Sequence, residues 1–295
     1  MLFDVAGVAP GPGDALAATD SYCNSGPHRS LKRAVNVETE KAIKPLVKLR
    51  RLLKDFPARP TPEDVHDLRT RARRVEATVH ALASQHDPAA RRLLKRIKPL
   101  RKAAGKVRDM DVLLAKLPGL CGMSAGDGLV GLGEHLRELR RRHADDLLRA
   151  IGRRRGAACR ELKRFTRSVQ RSWSDGSAAT FDPPQILAAQ LEHWPRLDAG
   201  NLHEFRILAK ELRYMLQLTS GVDPRRMDAL DQTKDAAGEW HDWLELNAAA
   251  QEVLDPEADR EILRRIDSLT REKLRAALQA ANRLRRMSMD LPRAA

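Results

Sequence analysis

The sequence predicts an all-α protein, and three observations carry that prediction. Aromatic residues make up only 4% of the 295 residues, and no segment alternates Val, Ile or Tyr with polar residues as a half-buried strand requires. Ala, Leu and Arg dominate instead, with apolar residues recurring at the three- and four-residue intervals of an amphipathic helix. Proline and glycine clusters then cut the chain into long helical lengths joined by short breaks.

The elements follow in order. Residues 1–28, with the turn cluster APGPG and no Lys or Arg, read as an irregular or flexible arm. A first helix spans about 29–56 and ends at Phe-Pro-Ala-Arg-Pro; a second, 62–86, opens on Thr61 as N-cap with Pro62 in the first turn. A third spans 88–117 and closes at Pro118-Gly119; after the linker CGMSAGDG a long basic helix covers 128–172. A second linker around SDGSAATFDPP leads to a short helix at 185–194, and then to helices at 199–219, 224–254 and 257–288, broken at Gly221 and Pro256. The expected organisation is an arm at 1–28, a first helical repeat at 29–172, a linker with a short helix at 173–198, and the remainder of a second repeat at 199–290.

The grouping into repeats rests on two matched segments. VHDLRTRARRVEATVHAL from Val65 aligns with LHEFRILAKELRYMLQLT from Leu202, pairing His66 with His203, Asp67 with Glu204, Arg69 with Arg206 and Arg73 with Lys210, 137 residues apart. AGKVRDMDVLLAKL aligns with AGEWHDWLELNAA, pairing Arg108-Asp109 with His241-Asp242, 133 residues apart. Two matches in one order at nearly one offset predict a duplication: two four-helix bundles related by a pseudo-two-fold axis, with equivalent faces opposed.

Charge narrows the function. Against 40 Asp and Glu stand 54 Lys and Arg, a formal net charge of +14 with a pI near 10.2, so a polyanion is the first partner to consider. The opening arm holds three Asp and no base, so without it the net charge rises from +14 to +17. No apolar run approaches the roughly 20 residues of a membrane-spanning helix. Cys23, Cys121 and Cys159 lie far apart, in no metal-binding or disulfide spacing, which suits a reducing, cytoplasmic setting.

The basic residues are arranged rather than scattered. Val65, Leu68, Ala72, Val75, Val79 and Leu82 form one apolar stripe, and Leu202, Phe205, Ala209, Leu212 and Leu216 its counterpart. One residue round each helix stand His66, Arg69, Arg73 and His80, and His203, Arg206, Lys210 and Arg213. Such a ladder presents a donor about every turn, roughly 5 Å, a repeat that suits a chain of phosphates. Arginine offers a planar fork, lysine a point charge and histidine a charge that follows the ligand's field. A solvated basic face has no reason to keep the same register and the same leading histidine in both repeats. Arg101 and Arg108, with Lys98 beside Arg101, and His241 in the place of Arg108, extend the pattern to the next helices. Lys44 and Lys48 recur four apart on the first helix and are the outermost candidates.

HDLR with its following bases, RDMDVLL, and then HEFRILAKELRY with HDWLEL resemble the CHAD domain, the histidine-containing α-helical domain, over roughly 30–290. The resemblance implies a duplicated pair of four-helix bundles with a basic cavity between them. It also implies binding of inorganic polyphosphate and, in some bacterial members, association with polyphosphate or polyhydroxyalkanoate granules. Its cationic positions fall on His66, Arg69, Arg73, Arg108, His203, Arg206, Lys210 and Arg213. Where the family continues Arg-Arg-Leu-Arg, this chain has Arg73-Arg74-Val75-Glu76, so the first ladder is expected to lack a cation that Arg213 supplies in the second. The ExExK motif of an upstream triphosphate-tunnel domain is approached only by Glu38-Thr39-Glu40-Lys41, with the lysine one place early and in a helical setting, which implies a stand-alone binding module.

Other chemistries fit less well. HDLRT is close to a histidine-kinase phosphoacceptor box, but Arg71 replaces its proline and no glycine-rich nucleotide domain accompanies it. The histidines lack the close spacing of helix-borne metal ligands. Asp109 and Asp111, two apart on a helix, point in different directions, so a metal-assisted phosphoryl transfer lacks its carboxylates and no cofactor or catalysis is expected. Nucleic-acid binding satisfies the same electrostatics and is the alternative; against it, two Tyr, five Phe and four Trp are not interleaved with the ladders as a stacking platform requires.

Overall fold

The computed structural model describes residues 39–83, 87–120, 126–174, 183–217 and 222–287. The arm at 1–28, the start of the first helix before residue 39, most of both linkers and the break at Gly221 lie outside the described residues. Within them are eight α-helices and one 3-10 turn, and no strand: α1 Thr39–Lys54, α2 Pro62–Leu82, α3 Pro88–Lys116, α4 Gly126–Ser174, α5 Pro183–Glu192, α6 Leu202–Leu216, α7 Pro224–Val253 and α8 Arg260–Arg286, with the 3-10 turn at Leu117–Leu120. None of these helices is long and apolar enough to cross a membrane.

Helix starts follow local chemistry. Thr61 caps α2 in a capping box: its hydroxyl accepts from the Asp64 backbone N–H at 3.2 Å, and Asp64 Oδ2 accepts from the Thr61 N–H at 2.8 Å. Asp87 and Asp223 cap α3 and α7, each with proline at the next position. Helix α6 begins at Leu202 rather than 199. Asp198 Oδ1 accepts from the N–H groups of Gly200 and Asn201, and the Asn201 amide donates to the Arg196 carbonyl at 2.9 Å, so a turn occupies the residues that periodicity assigned to the helix.

The two sets of helices pack in the same order. In the first, α1 meets α2 and α4, α2 meets α3, and α3 meets α4; in the second, α5 meets α6 and α8, α6 meets α7, and α7 meets α8. Equivalent helices also meet each other, α2 against α6 and α3 against α7. Both predicted apolar stripes are core: Val65, Leu68, Ala72 and Val75 are fully buried in the first cluster, and Leu202, Phe205, Ala209 and Leu212 in the second.

The expectation of two bundles needs one addition. Leu113 from α3, Leu120 from the 3-10 turn, Leu132 and Leu136 from α4, Trp243 and Leu246 from α7, and Ile262 and Ile266 from α8 form a third apolar cluster. The four long helices run out of their own cores and share this one. Each leucine or isoleucine so buried contributes on the order of 2 kcal/mol, which fixes the halves to one another. A polar clip reinforces the joint: Lys116 on α3 lies 2.9 Å from Glu239 on α7, which also accepts from Trp243 Nε1 at 2.9 Å. At this end apolar packing closes the space between the halves; at the α2–α6 contact, charged residues face each other instead.

Candidate functional site

Arg69 and Arg73 from α2 and Arg206 and Lys210 from α6 act on one another's charge across the contact between the two helices. Their helices put them there because each ladder is one residue round from a fully buried stripe, so packing the stripes turns both ladders inward. Lys210 is only 7% exposed. Burial pushes its ammonium down to about 6, with Arg206, Arg73, Arg69 and Lys234 adding repulsion. Arg73, its counterpart, is pushed down to about 10 by burial and by Arg69 and Arg101. Burial also lowers Arg206. The Nε atoms of Arg69, Arg73 and Arg206 are buried without a hydrogen-bond partner, and Lys210 has no ion-pair partner among the described residues.

Two glycines stand against the arginines, one of them closely. A Cβ at Gly105 on α3 would stand 3.5 Å from Arg69 Nε, and one at Gly238 on α7 would stand 3.1 Å from an Arg206 terminal nitrogen. Both glycines are buried in helix interiors, where glycine costs about 1 kcal/mol relative to alanine. They are also 133 residues apart, the offset of the AGK and AGE segments. The packed arginine accounts for the glycine at 238, where a Cβ would be tight; at 105 the distance is an ordinary contact.

Carboxylates flank the cluster rather than fill it. Asp109 lies 3.7 Å from Arg69 Nη2, while Asp111 turns to α4 and meets Arg140 Nε at 2.5 Å. Burial raises Asp109, against the pull of Arg69; burial likewise raises Asp242, against Lys116 and Arg206. At the start of α6, His203 faces His241 of α7 with ring centroids 4.8 Å apart, and His241 Nε2 lies 3.1 Å from Glu245 Oε1. Burial lowers His203, helped by His241 and Arg206; the bond to His241 holds Glu245 below the usual carboxylate range. Among the described residues no group of three or more His, Cys, Asp or Glu is placed to hold a metal ion.

The remaining candidates divide. Arg101 donates to Glu76 at 2.9 Å, and Arg213 Nε lies 2.5 Å from Asp231, so both are anchored to carboxylates. The cation expected to be missing at position 76 is thus supplied from the neighbouring helix, with Glu76 holding it. His66 is exposed, 3.5 Å from Thr70 Oγ1, Lys98 is exposed, and Arg108 is half-buried on α3. Asp67 holds Arg71 at 2.6 Å rather than a ladder arginine. Lys44 and Lys48 line a separate pocket with Arg71, Arg74 and Tyr214, the last three absent from the sequence-derived site.

Comparison with known proteins bears on this arrangement. A family model described as CHAD domain matches residues 46–251. Among solved structures, the crystal structure of the CHAD domain from the plant Ricinus communis superposes with a TM-score of 0.61 at 21% identity, covering 85% of this chain and 92% of that one. PptA from Streptomyces chartreusis does so with a TM-score of 0.59 at 18% identity, covering 86% and 98%. No curated protein matches the chain.

Proposed function

The chain belongs to the CHAD domain family, and from that premise we propose that it is a non-catalytic module that binds inorganic polyphosphate at the cationic cluster between α2 and α6. The observation that carries this reading is the incompletely compensated charge of Arg69, Arg73, Arg206 and Lys210, for which Asp109, 3.7 Å from Arg69, is the one ion-pair partner among the described residues. Burial removes the water that would screen these groups, so Arg69, Arg73 and Arg206 repel one another on two facing helices and the Lys210 ammonium is held down to about 6. A ligand with a negative charge at every unit relieves that repulsion and supplies acceptors for donors now without partners.

His203 and His241 extend the seat at one end; Arg101 and Arg213, held by their carboxylates, bound it at the other; His66, Arg108 and Lys98 contribute longer-range attraction. Large aromatic side chains support polyphosphate over nucleic acid. Phe56, Phe165, Phe205, Trp240 and Trp243 are buried in the cores, and Tyr214, beside the cluster, is a single ring rather than the row of stacking partners that successive bases need. The proposal assigns no bond-breaking step: Asp109 and Asp242 serve as charge partners of the arginines. It extends to a cytoplasmic setting, with association with polyphosphate or polyhydroxyalkanoate granules in cells that hold them.

The test is a competition titration in which long-chain polyphosphate and single-stranded DNA or RNA of matched charge displace one labelled polyphosphate, at low and near-physiological salt. Displacement by polyphosphate that survives salt, with weak displacement by nucleic acid, is the expected result. Equal displacement that collapses together in salt would mean a generic basic surface.

A further inference from the structure

Beside the cluster, α1, α2 and the end of α6 enclose a cavity of about 350 Å³ lined by Lys44, Lys48, Arg71, Arg74, Tyr214 and their neighbours. That volume lies within the range of small-ligand sites. Its cations are arranged unequally. Arg71 is fixed, donating to Asp67 at 2.6 Å and to the Lys48 carbonyl at 3.4 Å, which ties α2 to α1. Lys44, Lys48 and Arg74 have no ion-pair partner among the described residues, and all three are exposed. Among the described residues, the one carboxylate that meets this set, Asp67, is already taken by Arg71. The pocket is therefore a concave site with three free positive charges.

Its position relative to the cluster is the second observation. Arg73 and Arg74 are consecutive on α2, Arg73 belonging to the cluster and Arg74 to the pocket. Tyr214 lines the pocket and also acts on Arg73, while the Arg213 guanidinium stands 5.9 Å from its ring. Cluster and pocket are thus adjacent, with Tyr214 at their boundary.

We propose that this pocket is a second seat for the same polyanion, which passes from the α2–α6 cluster beside Tyr214 and ends among Lys44, Lys48, Arg71 and Arg74. The inference rests on the polyphosphate reading and adds to it a direction and a minimum length. A short chain fills the cluster alone; a long one occupies both seats and gains the outer contacts without a second association cost.

The experiment compares the full chain with its Lys44→Ala/Lys48→Ala/Arg74→Ala variant, using tripolyphosphate and long-chain polyphosphate as probes, with circular dichroism to confirm the fold. A control variant, Arg153→Ala/Arg160→Ala/Arg167→Ala, removes three exposed cations from the outer face of α4. The pocket variant is expected to lose roughly tenfold or more in affinity for the long chain and to stay within about twofold for tripolyphosphate. The α4 control is expected to change either by no more than about twofold. Unchanged long-chain affinity in the pocket variant, or equal loss for both probes, overturns the second seat and leaves the cluster reading standing. If the unaltered chain binds neither probe above the level of nucleic acid, the cluster reading falls and the second seat with it.

Discussion

The two halves of the molecule build an ion pair at the same point and wire it with opposite polarity. In the first half the carboxylate is on α2 and the cation on α3: Glu76 holds Arg101. In the second the cation is on α6 and the carboxylate on α7: Arg213 meets Asp231, which Lys234 also contacts at 3.1 Å. Arg213 stands 137 residues after Glu76, and Lys234 stands 133 after Arg101, so these are equivalent places. Charge at these positions is compensated within the protein whichever way round it is placed. Further in, Arg73, Arg206 and Lys210 have no ion-pair partner among the described residues, and Arg69 has only Asp109 at 3.7 Å. A cationic ladder therefore contains two kinds of residue, those that hold helices together and those that require an external anion, and only the packed partners distinguish them.

The largest expected effect separates the arginines of the two halves. Arg206→Ala should lower the affinity for long-chain polyphosphate roughly 10- to 100-fold, the loss of one or two charge-assisted contacts. Arg69→Ala should cost less, because Asp109 at 3.7 Å already neutralises part of its charge. Parallel titrations at one salt concentration decide it, and equal losses would remove the asymmetry.

A second difference appears in pH. Arg73 and Lys210 are equivalent, yet burial leaves one near 10 and the other near 6, so of this pair only Lys210 titrates around neutrality. Phosphate favours the charged lysine, so binding takes up a proton, and affinity should fall as pH rises above about 6, by at most about tenfold per unit. Lys210→Met should flatten that slope. For stability the sign is opposite. Between about 6 and the ordinary lysine value of 10.5 the unfolded chain holds a proton that the folded one does not, so this residue makes the fold more stable as pH rises through that window. Urea unfolding across pH, with and without Lys210→Met, checks this.

The mirrored ion pairs offer a smaller effect. Glu76→Gln should cost about 1–2 kcal/mol in urea unfolding while raising affinity a few-fold, because Arg101 loses its partner and Arg73 loses a nearby negative charge. Asp231→Asn releases Arg213, while Lys234 keeps Asp235 at 2.9 Å, and should likewise raise affinity a few-fold. A loss of affinity in both variants would contradict the division between anchoring and ligand-seeking cations. Smallest of all, Gly238→Ala should stabilise α7 by up to about 1 kcal/mol yet weaken binding, since its methyl would press on Arg206 at 3.1 Å; Gly105→Ala, with 3.5 Å to spare, should stabilise α3 and leave binding unchanged.

What the sequence made legible was periodic. The stripes through Val65 and Leu202 obey 3.6 residues per turn, and the ladders inherit their direction from the stripes, which is why Arg69, Arg73, Arg206 and Lys210 could be placed together before any coordinates. Features that depend on distant partners were not legible. Glu76 looked like a lost cation because Arg101 is 25 residues away on another helix. Helix α6 started late because Asp198 and Asn201 offered the backbone a competing turn. The third core required the ends of α3 and α7 and the starts of α4 and α8 to meet, and no local pattern encodes that. The outer pocket escaped because Tyr214 joins it from the opposite half.

The most direct test of the central claim replaces the cluster itself. Long-chain polyphosphate would be titrated, at near-physiological salt, into the full chain and into its Arg69→Ala/Arg73→Ala/Arg206→Ala/Lys210→Ala variant. The expected result is a loss of roughly a hundredfold or more with helicity unchanged and thermal stability equal or higher, because the removed charges repel one another. Undiminished affinity in the folded variant would contradict it and place the polyanion elsewhere on the surface.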